Sequence, residues 1–171
     1  MAEQGGFVIY QSESGQTRLE VRLSGERLWL TQAQMAELFQ TSADNISLHL
    51  KNIFEDKALD EASTTEDFSV VRQEGSRQVR RNLRHYNLDA IISVGYRVKS
   101  HTATRFRQWA TQQLKEYIVK GFVMDDERLK NQDQPFDYFD ELVRRIQDIR
   151  TSEKRFYRKI TDIYATSVVT R

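Results

Sequence analysis

The side chains best suited to reading a base sequence lie between Leu28 and Ile53. At about 100° per residue, Asp44, Ser47, Leu48, Lys51 and Asn52 share one side of a helix, with Asn45 at its edge, while Ile46, Leu50 and Ile53 share the other. Asn and Ser can hydrogen-bond base edges, Lys can meet a phosphate or a guanine, and an apolar side chain can touch a thymine methyl. Leu48 is an apolar residue on a face that burial does not require. The competing reading is a helical hairpin that only packs. His49 borders the inward stripe and is expected to be a packed or capping residue rather than a base reader.

A second constellation follows. Residues 68–73, the turn Glu74-Gly75-Ser76 and residues 77–83 predict a β-hairpin. It carries Arg72, Arg77, Arg80, Arg81 and Arg84 against one acid, Glu74. Beside a base-reading helix, such a hairpin is suited to lie along a phosphate backbone, where arginines release counterions and fix register. The alternative is an exposed, solubilising edge hairpin. Five arginines this close repel one another unless an anion is near, which favours the phosphate reading.

Catalytic chemistry has little support. His49, His85 and His101 show no paired metal-ligand spacing, and there is no Gly-rich phosphate loop or nucleophile elbow. Asp125-Asp126-Glu127 with Lys130 faintly resembles a nuclease cluster, but it lies in a polar connector, where a solvated acidic turn is the simpler account. No catalytic residue, metal or cofactor is therefore expected. A toxin-like nuclease stays open as the rival class, to be recognised by two carboxylates converging in a cleft beside the arginine hairpin. A protein-binding adaptor, with no DNA affinity, is the third.

The elements that must position these residues are of mixed type, predicting an α+β fold. Residues 7–10, 17–23 and 27–30 read as strands, with turns at Ser12-Glu13-Ser14-Gly15 and Ser24-Gly25-Glu26, forming a small β-meander. Two short helices follow, separated by about three residues, in the proportions of a helix-turn-helix. Thr31 caps the first, whose Met35, Leu38 and Phe39 share a face; Ser42 or Asp44 caps the second. An acidic connection over 55–67 contains a short helix, and the hairpin after it makes the whole a winged helix-turn-helix. Residues 88–94 form a helix that Gly95 ends. Ser100 or Thr102 caps a long helix to Lys120, with Gly121 as its stop. There Ala103, Phe106, Trp109, Ala110, Leu114, Tyr117 and Ile118 make a broad apolar face, expected to be core. Arg105 points outward, and Arg107 snorkels or pairs with an acid.

After Pro135 the pattern changes to heptads. Phe136, Val143, Tyr157 and Tyr164 recur in one register, Phe139, Ile146 and Ile160 in a second, and Leu142, Ile149, Phe156 and Ile163 in a third. This forms one long helix, or two if Thr151-Ser152 starts another, with Arg150 and Glu153 at mid-stripe. A stripe this broad must bury itself against another helix. It is expected to pair two copies into a homodimer rather than fold back onto the Phe106–Tyr117 helix.

Charge is distributed unevenly. The net charge is +1 over 171 residues, yet residues 1–65 carry five basic and ten acidic side chains, residues 66–121 eleven and five, and residues 122–171 ten of each. A local basic segment suits a directed DNA surface rather than indiscriminate coating. The absence of cysteine excludes a disulfide framework and suits a reducing compartment. With no signal pattern and no apolar span, a cytoplasmic protein with no membrane partner is expected. The expected organisation is a winged helix-turn-helix domain over 1–121, a connector over 122–134 and a helical oligomerisation region over 135–171.

The chain resembles the bacterial virulence-associated RhuM family. The motifs are Trp29-Leu30-Thr31-Gln32, Leu38-Phe39, the run from Asn45 to Ile53, and Tyr86-Asn87-Leu88-Asp89-Ala90-Ile91-Ile92-Ser93-Val94-Gly95-Tyr96-Arg97-Val98. Further matches are Phe106-Arg107-Gln108-Trp109-Ala110, Ile149-Arg150-Thr151-Ser152-Glu153 and Thr161-Asp162-Ile163-Tyr164. The resemblance runs over nearly the whole chain from Phe7. Residues 86–121 are also distantly similar to the N-terminal domains of phage antirepressors. The resemblance implies a DNA-binding protein of pathogenicity islands or mobile elements, with no activity firmly attached. Members continue beyond the position of Tyr164, so the chain resembles an N-terminal half or a truncated member.

Overall fold

Leu30 joins the first sheet to the helical core. It is fully buried, its N–H donates to the Tyr86 carbonyl at 3.0 Å, and the Tyr86 N–H donates back at 2.8 Å. The computed structural model describes residues 3–7, 19–24, 27–133 and 136–168. These form an α+β protein whose chain divides into two compact units, Met1–Val123 and Met124–Arg171.

In the first unit, strands β1 (Glu3–Phe7), β2 (Leu19–Ser24) and β3 (Arg27–Trp29) form an antiparallel sheet in that order. The register runs Glu3↔Leu23 to Phe7↔Leu19 and Arg22↔Trp29 to Ser24↔Arg27. The first strand therefore starts earlier than expected from residues 7–10. Gly5 and Gly6 have low strand propensity, but pairing with β2 decides their conformation. Positions 8–10 and the turns at 12–15 and 25–26 lie outside the described residues.

Helices α1 (Gln32–Phe39) and α2 (Ala43–Glu55) follow, then the short α3 (Glu61–Thr64) and a hairpin of β4 (Thr65–Glu74) and β5 (Arg77–Tyr86). The hairpin is longer at its base than residues 68–83. Next come α4 (Leu88–Arg97) and α5 (His101–Lys120). The core gathers Leu30, Met35, Leu38, Phe39, Ile46, Leu50, Ile53, Ile91, Val94, Val98, Ala103 and Phe106, each at most 2% exposed. At about 1.5–3 kcal/mol per buried large apolar side chain, this cluster supplies the main drive for folding the unit.

Gly95 does not end α4. It lies inside the helix, which continues to Arg97 and is capped at its start by the Asn87 side chain. A Cβ there would lie 2.5 Å from Phe106 Cε1 and 2.9 Å from Phe39 Cζ. Its role is to admit two rings against the helix backbone. Ser100 is the cap of α5, and Gly121, at φ 83°, closes it. Ser100 Oγ also donates to the Phe39 carbonyl at 2.6 Å, tying the start of α5 to the end of α1.

The long apolar face of α5 is core only at its beginning. Ala103 and Phe106 are buried, whereas Trp109, Leu114, Tyr117 and Ile118 are exposed, Ile118 at 71%. Helical period assigns these residues to one side; it does not supply a neighbour to cover them. Among the described residues Arg107 pairs with no acid. It donates to the Gly95 and Val98 carbonyls at 3.0 and 2.8 Å, satisfying the C-terminal end of α4.

The second unit contains α6 (Asp126–Lys130), α7 (Phe139–Arg150) and α8 (Glu153–Val168). The chain breaks at Thr151-Ser152, so the heptad segment forms two helices, with Arg150 and Glu153 on either side of the break. Pro135 lies outside the described residues. No helix among the described residues is long and apolar enough to cross a membrane.

Candidate nucleic-acid interface

Local chemistry fixes the turn between α1 and α2. Thr31 Oγ1 accepts from the Gln34 N–H at 3.2 Å, and Gln34 Oε1 accepts from the Thr31 N–H at 2.9 Å, a reciprocal capping box. At the other end Gln40 adopts the left-handed region, φ 54° and ψ 55°. For a residue with a Cβ this costs about 1–2 kcal/mol. Its side-chain amide donates to the Glu37 carbonyl at 2.7 Å, and the Thr41 N–H donates to the Ala36 carbonyl at 3.0 Å, which offsets part of that cost. Of the two candidate caps, Ser42 is the one used: its Oγ accepts from the Asn45 N–H at 3.1 Å. Asp44 lies in the first turn, where the helix dipole favours it.

The two faces of α2 differ sharply. Ile46, Leu50 and Ile53 are buried, while Ser47, Leu48 and Lys51 are exposed, Leu48 at 54%. Asn52 and Asn45 are half-buried. Asn45 Nδ2 donates one of its two N–H groups to Thr41 Oγ1 at 2.9 Å, tying the side chain to the turn. A bidentate contact with adenine uses one N–H and the carbonyl oxygen, so the other N–H keeps that contact open. Lys51 makes a loose exposed pair with Glu55 at 3.8 Å, worth little against a phosphate. His49 is half-buried, and burial, with the positive charge of Arg97 second, holds its pKa below the usual 6.5. Arg97 in turn meets Asp56 at 3.2 Å.

The hairpin turns on Gly75, at φ 63°, with Ser76 outside the positive-φ region, the pattern of a type II′ turn. Glu74 pairs with Arg77, and the register continues outward to Thr65↔Tyr86. Near its base Phe68 meets Trp29 edge-on at 5.6 Å and the buried His85 at 5.0 Å. His85 Nδ1 lies 2.8 Å from the Leu83 carbonyl. These contacts root the ribbon in the core while its far part stays in solvent.

Two of the five hairpin arginines already have carboxylates beside them, which relieves the crowding of like charge. Arg81 forks onto Glu74, Nε to Oε1 at 3.2 Å and Nη2 to Oε2 at 3.1 Å. Arg84 reaches Asp67 at 3.3 Å and Glu61 at 2.9 Å. The Asp67 hydrogen bond and then its charge, with Glu61 adding to them, raise the Arg84 pKa further. Arg72, Arg77 and Arg80 are exposed. The Asp67 partner could be found from the sequence by counting outward from Gly75-Ser76, because that places it opposite Arg84. Glu61, like Asp56 for Arg97, joins across chain distance and left no local signal.

The other expected sites are also placed. Asp125 caps α6 by accepting from the Arg128 N–H at 3.1 Å, and Glu127 meets Lys130 at 3.7 Å in solvent. Among the described residues no group of three His, Asp or Glu side chains could hold a metal ion. Glu61 and Asp67 do converge beside the hairpin, but on Arg84, and all three are about half exposed. In the second unit Phe139, Ile146, Ile149, Tyr157, Ile163 and Tyr164 are exposed. Phe136, Leu142, Val143 and Ile160 are half-buried, and the Phe156 side chain lies outside the described residues.

No curated protein and no solved structure matches the chain. The sequence model of the Virulence protein RhuM family matches residues 63–169. That span takes in the hairpin, α4, α5 and the second unit, while α1 and α2 lie ahead of it. With more than half of its residues matched, the chain belongs to the RhuM virulence protein family.

Proposed function

We propose that the chain binds duplex DNA with sequence preference, acting as a regulator tied to a virulence locus or mobile element. In this reading residues 1–121 are a winged helix-turn-helix domain: α1 and α2 form the helix-turn-helix, α2 enters the major groove, and the β4–β5 hairpin is the wing. The observation that carries it is the division of α2. Its apolar stripe is buried, while an exposed apolar Leu48 stands beside Ser47 and Lys51 on the opposite face. That combination suits a surface of thymine methyls, base edges and phosphates.

Residues 122–134 then connect to an oligomerisation region over 135–171. The exposed Phe139, Ile146, Ile149 and Ile163 support pairing of α7 and α8 with a second copy. A two-fold dimer would set two reading helices about one DNA turn apart, or a multiple of it. The DNA reading is tested by selecting duplexes from a random pool with the full chain. An enriched sequence whose preference changes with Lys51→Ala or Asn52→Ala supports it; a pool with no retained duplex rejects it. Light scattering tests the dimer: a monomer at all concentrations, unchanged by Ile146→Asp, rejects it.

A further inference from the structure

The strand register divides the five hairpin arginines between two faces. Residues paired across the ribbon stand on the same side of it. Arg77 opposite Glu74, Arg72 opposite Val79 and Arg81 opposite Val70 share the face that begins at Phe68 and His85. Arg80 opposite Val71 and Arg84 opposite Asp67 stand on the other. Beyond the base both faces meet solvent, with Val71 59% exposed. Arg81 is forked onto Glu74, and Arg84 is held by Asp67 and Glu61. Among the described residues no carboxylate pairs with Arg72, Arg77 or Arg80.

We infer, resting on the duplex-DNA reading, that Arg72, Arg77 and Arg80 are the hairpin's phosphate contacts, the first two on one DNA strand and the third on the other. Arg81 and Arg84 are positioning residues that keep the ribbon in shape. An arginine whose guanidinium already lies in a carboxylate fork must give up that fork to take a phosphate, so its net gain is small. A guanidinium with no acidic partner meets phosphate at no such cost and releases a counterion. The faces decide the rest. Side chains stand roughly perpendicular to a ribbon and alternate between its faces, so the charged end of Arg80 points away from those of Arg72 and Arg77. One row of phosphates cannot serve both. The two rows that border a groove can, when the ribbon lies along the groove next to the stretch that α2 enters and turns one face to each strand.

The experiment uses the full chain and a duplex that it enriches from a random pool. Salt dependence of binding is measured for Arg72→Ala/Arg77→Ala, Arg80→Ala, Arg81→Ala, Arg84→Lys and Glu74→Gln. Each lost phosphate contact lowers the slope by about 0.9. The double variant loses about two units and Arg80→Ala about one, with Arg80→Lys restoring most of it. Arg81→Ala and Arg84→Lys leave the slope as it was. Glu74→Gln frees Arg81 and steepens the slope by about one unit, a gain that a purely structural pair would not give. Methylphosphonate substitution, one phosphate at a time, then identifies the strand. Sensitive positions lost with the double variant lie on one strand, and those lost with Arg80→Ala lie on the other. A single strand for both sets, or an Arg81→Ala loss equal to that of Arg80→Ala, overturns the inference and leaves DNA binding intact. A wild-type chain that retains no duplex overturns the DNA reading itself, and the inference with it.

Discussion

Replacing Gly95 by Ala tests how tightly α4, α5 and α1 are packed. The new methyl carbon would lie 2.5 and 2.7 Å from Phe106 Cε1 and Cδ1, and 2.9 Å from Phe39 Cζ. Ordinary carbon contacts need about 3.5–4.0 Å, so the ring of Phe106 must retreat by about 1 Å. It has little room: Phe106 is 2% exposed and Phe39 fully buried, and the two rings already meet edge-on at 5.3 Å. Overpacking of this kind costs about 1–3 kcal/mol. Alanine's helix propensity returns about 1 kcal/mol. The net expectation is a loss of up to about 2 kcal/mol in unfolding free energy. Urea unfolding followed by tryptophan fluorescence is the assay, because both tryptophans, Trp29 and Trp109, lie in the first unit. Phe106→Leu, which removes part of the offending ring, should recover a measurable share of the loss in the Gly95→Ala background. A Gly95→Ala chain more stable than wild type by about 1 kcal/mol, the full helix-propensity gain, would refute the close-packing account.

Further outcomes follow from the same packing. Arg107→Met removes the donors to the Gly95 and Val98 carbonyls and should cost about 1–2 kcal/mol in urea unfolding; an unchanged midpoint would contradict the capping role. Because the folded pKa of His49 is lowered, the unfolded chain takes up its proton first as pH falls. The His49 contribution is therefore full above about pH 6.5 and declines as pH falls through the unfolded value toward the lower folded one. His49→Gln should flatten that decline in thermal unfolding between pH 7 and 5 (about the range over which an imidazole titrates); an unaltered pH profile would count against it.

Much of the first unit could be read from single residues. The spacing of Ile46, Leu50 and Ile53 foretold a buried stripe, and Thr31, Ser42 and Ser100 were legible as caps because capping is a contact over three residues. The hairpin turn was legible in Gly75 for the same local reason. What depends on distant partners was not. Gly95 looks like a helix stop until Phe39 and Phe106 are seen against it. The α5 face looked like core from end to end, yet period alone cannot say what covers Leu114 or Ile118. The Asn45–Thr41 hydrogen bond holds the turn and has no signature in the helical period. The acids on Arg81 and Arg84 come from across the ribbon and from α3, and they change which arginines remain available.

The most direct test of the account is the affinity of the full chain for duplex DNA before and after Leu48→Glu. Leu48 is 54% exposed on α2, so a carboxylate there leaves the buried stripe untouched but faces phosphates and base edges if α2 reads DNA. Fluorescence anisotropy with a labelled duplex should show salt-dependent binding by wild type. Binding should be lost in Leu48→Glu, with the unfolding curves of the two superimposed. Equal affinity in both chains would contradict the central claim that α2 is the reading helix.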